Sequence, residues 1–367
     1  MSKTTKVAFV VQGEGRGHLS QALALSQMIK KWGFKLVSVH VGRSQQRSLP
    51  DYFLSQIGAD VSEFKSPNFT LDKSNQGIQV GKSLLLGALN LPAYLNESRR
   101  LVSTIMSREP DVIVNFYEPL IGLSQILWRV KIPVLSIAHQ YLTLHPAFKM
   151  PARPRFDRLG LKVLTRISQI GSSLKLALSF YPLESHGKIV VVPPLLRTEV
   201  MKLKPSNGDF YLIYVLNSGY ADEIKYWHAH NSELEVHCFW DRFDLPNPYS
   251  PSPNLHFHHL SDTLFLDKMS KCKALITTAG FESVCEALFL GKPVAMVPVK
   301  GHYEQKLNSY DALNANAGIR NDEFIMDELF EKLHGFKRNP NNQNIIRSWF
   351  LGTEEKFKAV FAEVLSK

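Results

Sequence analysis

The stretch VAFVVQGEGRGHLSQALALSQMIKK, Val7–Lys31, sets three glycines and a histidine between an apolar run and an amphipathic segment. Val7–Val11 is apolar and rich in β-branched residues, the pattern of a buried strand. From Leu19 onward, apolar residues recur at helical spacing. A strand that turns through glycines into a helix is the opening unit of a doubly wound α/β sheet. Such a turn lets the backbone approach a ligand and aims free N–H groups at negative charge. Gly13, Gly15 and Gly17 are therefore expected to make room for a bound molecule, and His18 to face it.

The dinucleotide fingerprint is the rival reading of this loop. It requires G-x-G-x-x-G and an acidic residue at the end of the next strand. Here the spacing is G-x-G-x-G, and the next strand ends in LVSVHVGRS without an acid, although Arg43 could meet a 2′-phosphate.

Outward from the loop, KLVSVHV, DVIVNF and IPVLSIAH read as further parallel strands between helical or loop segments. The segment from Lys65, KSPNFTLDKSNQGIQVGKS, is expected to be a long loop. After KIVVVPP the chain drifts through Lys, Pro, Asn and Gly, which marks a domain boundary. The second half then repeats the grammar with FYLIYVL, LEVHCFW, LHFHHL, ALITTA and PVAMVPV. The expected organisation is an N-terminal domain over 1–193, a linker over 194–208, a C-terminal domain over 209–345, and a C-terminal segment over 346–367. The last is expected to form a helix that packs back on the first domain. Two Rossmann-like domains of similar size imply a cleft, with ligands at the carboxyl ends of the strands.

Composition narrows the function classes. Of 367 residues, 44% are hydrophobic and 21% charged, as in ordinary globular proteins, and no apolar run reaches the ~20 residues of a membrane-spanning helix. Three cysteines without C-x-x-C spacing suit reduced thiols in a cytoplasmic protein. The net charge of +10 raises partners that carry negative charge. Basic residues are dispersed and no nucleic-acid signature is present, so no nucleic-acid partner is expected. From Arg153, RPRFDRLGLKVLTRISQIGSSLKLAL places Leu159, Val163, Ile167, Ile170 and Leu174 at helical spacing among Arg158, Lys162, Arg166 and Lys175. That is a basic amphipathic helix, either packed on its own domain or resting on an anionic membrane face. His256 and His258 share one face of a strand, but two histidines without a third ligand make no metal site.

The most specific signal is ITTAGFESVCEALFLGKPVAMVPVKGHYEQKLN, from Ile276. A strand ends at Thr277 and Thr278, Gly280 turns the chain, and Ser283 lies in the first turn of a helix whose amides can receive a phosphate. One turn inside, Glu286 can accept two hydrogen bonds from a vicinal diol. Glu304 and Gln305 follow the next strand. NSGY, with Asn217, Ser218 and Gly219, follows the first strand of the second half and suits a diphosphate or an ordinary turn.

These residues resemble the donor-site pattern of GT-B glycosyltransferases: a glycine turn, Glu, Gly-x-Pro, Pro and an acidic–Gln pair. The matching positions are Gly280, Glu286, Gly291, Pro293, Pro298, Glu304 and Gln305. The opening GRGHLSQALALS is similar to the family's histidine segment. That family includes plant and animal UDP-glycosyltransferases and the bacterial enzyme that adds N-acetylglucosamine to a lipid-linked peptidoglycan precursor. The resemblance implies an α/β fold of two Rossmann-like domains and an inverting, metal-independent transfer of a sugar from a UDP-sugar to a hydroxyl acceptor, which could be lipid-linked. It implies no cofactor beyond the nucleotide-sugar co-substrate. His18 would be the base, Gly15, Gly17 and His139 would line the acceptor side, and Asn217, Ser218, Gly219, Thr278, Gly280, Phe281, Ser283, Glu286, Glu304 and Gln305 would bind the donor. The chain departs from the family pattern twice. Thr278 stands where the plant enzymes carry a phosphate-binding histidine, and Asn115 and Glu118 stand near where an aspartate would orient the base. An epimerase of nucleotide-sugars on the same scaffold, or a charge-driven binder of nucleic acid or membrane, is the alternative.

Overall fold

The computed structural model describes residues 4–13, 15–43, 49–66, 90–149, 155–214 and 218–366. The chain divides into two compact units, Met1–Thr198 with Leu351–Lys367, and Glu199–Phe350. The division falls inside the 194–208 stretch, which also contains a short helix, Thr198–Lys202.

The first unit is built on a parallel sheet of seven strands in the order β3-β2-β1-β4-β5-β6-β7. They are β1 Lys6–Gln12, β2 Lys35–Arg43, β3 Val61–Lys65, β4 Val112–Phe116, β5 Val134–Ala138, β6 Leu174–Leu178 and β7 Ile189–Val192. β1 lies inside the sheet, between β2 and β4, because Val7–Val11 is apolar on both faces, and all five residues are fully buried. On one side, Ala8 and Val10 pack with Leu101, Ile105, Ile113, Leu120 and Ile121. The final helix, Thr353–Leu365, belongs to this unit. Phe361 packs on Trp32 at 5.6 Å, and the Thr353 hydroxyl donates to the Pro194 carbonyl at 3.2 Å.

One expected element is two. The helical spacing from Arg153 to Leu174 ends early, at Ser168, and Leu174–Leu178 is strand β6. Gly171, in the left-handed region at φ +72°, breaks the helix, and the next apolar run enters the sheet between β5 and β7. The buried face of the helix carries Leu161, Thr165 and Ser168, while Leu159 and Val163 are exposed. The long loop expected after Lys65 lies outside the described residues from position 67 onward.

The second unit has its own seven-stranded sheet, β10-β11-β9-β8-β12-β13-β14. Its strands are β8 Phe210–Tyr214, β9 Glu235–Trp240, β10 Tyr249–Ser252, β11 Leu255–His259, β12 Leu275–Thr277, β13 Val294–Met296 and β14 Gly318–Arg320. All pairs are parallel except the edge pair β10–β11. One face carries Tyr211, Ile213, Val236, Cys238, Trp240, Leu255 and Phe257 into a core with Trp227, Leu329 and Phe330. Cys238, Cys272 and Cys285 are all buried and unlinked. With β10 set aside, the six remaining strands follow the order of the first six strands of the first unit, in which the first strand lies between the second and the fourth.

Candidate functional site

In a doubly wound sheet the loops leaving two adjacent strands part to opposite faces where the order reverses, and the crevice between them accepts ligands. In the first unit this point lies between β1 and β4; in the second, between β8 and β12. His18, Asn115 and Glu118 lie at the first point, and Thr278, Gly280, Phe281, Ser283 and Glu286 at the second.

At the first point, Gly13 follows β1 and its N–H donates to the Gly42 carbonyl at 2.7 Å. A Cβ there would stand 2.6 Å from Val41 Cγ1, so Gly13 serves the packing of β1 on β2 rather than a ligand. At Gly15, the N-cap of the helix Arg16–Lys31, a Cβ would meet nothing within 4 Å. Gly17 and His18 occupy the first turn of that helix. His18 Nδ1 lies 3.2 Å from Gln21 Oε1, one turn along. An amide oxygen can only accept, so in this contact Nδ1 carries a proton. The ring stacks on Tyr117 with centroids 5.6 Å apart.

Tyr117 arrives there through an uncommon backbone, φ +62°, which costs roughly 1–2 kcal/mol in a residue other than glycine. Its hydroxyl is held 2.7 Å from Thr165 Oγ1. Asn115 fixes the turn: its side-chain oxygen accepts from Glu118 N at 2.8 Å, and its amide donates to Ser168 O at 2.8 Å and Glu118 O at 3.2 Å. These bonds commit Asn115 to building the loop. Glu118 is buried at the N-cap of the helix Pro119–Trp128, where its Oε1 accepts from Ser66 Oγ at 2.6 Å and Leu120 N at 3.1 Å. The protein thus brings His18, Gln21, Tyr117 and Glu118 to one end of the sheet.

His139 is placed differently. It is 2% exposed, its Nδ1–H donates to the Leu178 carbonyl at 2.8 Å, and burial holds its pKa down at about 4. Those are the surroundings of a core histidine. His145 is likewise committed, donating to Glu184 O at 2.9 Å and accepting from Ala147 N at 3.2 Å. Arg43, the residue available to a 2′-phosphate, forms an ion pair with Glu63.

At the second point, β12 ends at Thr277, and Ala279 takes φ +62° before Gly280 caps the helix Phe281–Phe289. Asn308, from the helix Tyr303–Asn314, donates to the Ala279 carbonyl at 3.1 Å and so holds the turn. Ser283 Oγ donates to Gly280 O at 3.1 Å. Thr278, Phe281 and Ser283 are largely buried, and Glu286 is 3% exposed beside Cys285. Burial, then the charges of Glu282, Glu286 and Asp311, push the Cys285 thiol well above its ordinary value. After β13, Gln305 Oε1 accepts from Val299 N at 2.9 Å, while Glu304 stands in the first turn of the helix that His302 caps. Ser218 and Gly219 lie in the turn Ser218–Tyr220 after β8; Asn217 is outside the described residues.

Sequence reasoning passed over Gln21, Tyr117 and Asn308. Gln21 had a signal, since i and i+3 share a helix face. Tyr117 and Asn308 had none, because their roles depend on backbone conformation and on a packed neighbouring helix.

Two doubly wound units, each with loops gathered at its point of strand reversal, define an α/β protein of the GT-B glycosyltransferase fold. A family model described as glycosyl transferase family 1 matches residues 5–334, and the chain belongs to that family. Among solved structures, Arabidopsis thaliana UGT89C1 complexed with quercetin matches with a TM-score of 0.65 at 16% identity, over 99% of this chain and 100% of that one. The calicheamicin glycosyltransferase CalG4 matches at 0.63 and 15%, over 100% and 99%, and LpCGTa in complex with UDP at 0.63 and 12%, over 100% of each chain. At these identities the likeness is one of fold. No curated protein sequence matches the chain.

Proposed function

We propose that this glycosyltransferase is an inverting enzyme that moves a sugar from UDP to a hydroxyl acceptor, with His18 as the base. The observation that carries this reading is the His18 geometry. Nδ1 is tied to Gln21 and the ring is seated on Tyr117, which holds the imidazole in one orientation, and in this reading Nε2 is the nitrogen that takes the proton. The acceptor hydroxyl gives its proton to Nε2 as its oxygen attacks the anomeric carbon, and the nucleoside diphosphate departs from the opposite face. Amides at the start of the helix Phe281–Phe289, with Thr278 and Ser283, offset the charge on the departing diphosphate. Glu286 accepts from the ribose diol, and Glu304 and Gln305 hold sugar hydroxyls. UDP bound to a protein of the same fold supports the choice of nucleotide. Gln21 takes the orienting part that an acid would otherwise play, and Glu118 secures the turn that carries Tyr117.

Transfer proceeds without a metal ion in this reading. A thermal-shift panel of UDP, GDP, dTDP and NADP tests the donor class, and UDP is expected to stabilise the protein most. Sugar transfer is expected to persist in EDTA; complete loss restored by manganese would overturn the metal-free mechanism. Isomerisation of the donor sugar without any acceptor, followed by NMR, would favour an epimerase instead.

One observation favours an acceptor at an anionic membrane face. Leu159 and Val163 are 57% and 37% exposed on the helix Arg155–Ser168, in line with Arg158, Lys162 and Arg166. No described helix is long and apolar enough to cross a membrane, so the attachment proposed is peripheral. Co-sedimentation with phosphatidylglycerol vesicles, lost in Leu159→Ser/Val163→Ser, is the expected result. Equal recovery of both proteins with the vesicles would remove the membrane from the reading.

A further inference from the structure

We propose that the second unit holds a divalent d-block cation of the zinc type, bound by Glu235, His237 and His256. Glu235 and His237 are the first and third residues of β9, so their side chains leave the same face. In the parallel register His256 of β11 pairs with His237, which puts the third ligand beside the second. One ligand atom from each residue lies within 4.8 Å of the other two. Bonds of about 2.0–2.1 Å to a tetrahedral ion set ligand atoms about 3.4 Å apart, so the side chains close on the ion and the stacked rings of His237 and His256 turn toward it, and His₂Glu with an open fourth position is an established zinc donor set.

Two independent features point to a cation at this place. The first is the outer shell. A ligating imidazole is held by an acceptor at its other ring nitrogen. His237 Nδ1 lies 2.9 Å from His258 Nε2, and His256 Nδ1 lies 2.8 Å from Ser250 Oγ. Both rings can therefore present Nε2 to one ion with their Nδ1 protons satisfied.

The second is a conflict at His237 Nε2. Glu235 Oε1 stands 2.8 Å from it and requires it to donate; Lys268 Nζ stands 2.9 Å from it and requires it to accept. A neutral ring cannot do both. An ion bound by Nε2 and Glu235 takes the place of proton and ammonium together. Lys268 can then withdraw toward the Phe210 ring, whose centroid is 5.0 Å from Nζ.

Glu235 and His256 stand at the amino ends of their strands, whereas the loops assigned to the donor leave the carboxyl ends of β8 and β12. The ion would pin β9 to β11 without joining the transfer reaction.

The test is titration of the chelator-treated, tag-free protein with zinc, read by calorimetry, and with cobalt, read by its visible absorption. One equivalent is expected to bind, with the intense bands of a tetrahedral cobalt site and a raised melting temperature. His256→Ala is expected to lower zinc affinity by roughly 100-fold or more, beyond the 10–100-fold of an outer-shell change. Lys268→Ala is expected to bind zinc more tightly, because the competing ammonium is gone. Wild-type protein that binds no zinc above the buffer blank would overturn the proposal. So would a His256→Ala protein, folded by circular dichroism, that binds zinc as the wild type does. Neither result bears on sugar transfer, which is assayed separately in EDTA.

Discussion

The two points of strand reversal share a topology and differ in chemistry. At the first, a titratable imidazole in the opening turn of a helix stacks on Tyr117, next in the chain to a carboxylate held at a helix N-cap. At the second, the loop is built from hydroxyls and backbone amides, with an Asn308 amide pinning its turn. Strand order supplies only the crevice; side chains decide whether a crevice moves protons or holds charge. In the proposed reading the first point moves a proton and the second holds an anionic group.

The sharpest way to break this contrast is His18→Ala. Turnover is expected to fall by roughly two to four orders of magnitude, the range for a lost general base, while UDP affinity by calorimetry stays nearly unchanged. Loss of UDP binding in this variant would mean that the loop after β1 holds the nucleotide, and the two assignments would have to be exchanged.

Acid should test the floor of the first unit. Burial, with Arg108 as a lesser cause for His40, lowers His40 and His139 from 6.5 to about 4. A histidine whose folded pKa lies below its unfolded value lends its full stability above the unfolded pKa. It loses that stability as pH falls toward the folded one. Between pH 6.5 and about 4, each should therefore cost the fold on the order of 1 kcal/mol per pH unit. Urea midpoints should drop through that window, and the slope should flatten in His139→Gln. An unchanged slope would show that the ring is already accessible to water.

Glu286→Gln keeps the shape of the buried side chain and removes its charge. UDP binding is expected to weaken by about 1–3 kcal/mol with the melting temperature of the unliganded protein little altered. If stability falls and affinity holds, Glu286 is a packing carboxylate and the ribose is recognised elsewhere.

The smallest effect expected is at Gln21. Gln21→Ala should reduce turnover by about tenfold and leave KM for the donor unchanged, because the ring loses its orienting acceptor but keeps its stack on Tyr117. Gln21→Glu should restore turnover and move the acid limb of the pH–rate profile, since a carboxylate in that place stabilises the imidazolium. A role for Gln21 confined to packing would leave that profile where it was.

What the sequence determined by itself was local. Apolar strands, glycine turns and helical spacing are written within a few residues, so β1, the helix that carries His18 and the turn at Gly280 were legible from Val7–Lys31 and from Ile276 onward. The spacing also misled where it ran on past Ser168, because periodicity does not report where Gly171 turns the chain. Only the tertiary structure decided which distant residues meet. Glu118 is completed by Ser66, 52 positions away, and the strained turn at Ala279 by Asn308, 29 positions away. His256, read as one of two histidines with no third ligand, stands beside His237 because β9 and β11 pair in that register. Register and crossover are properties of the packed sheet, and no spacing along the chain encodes them.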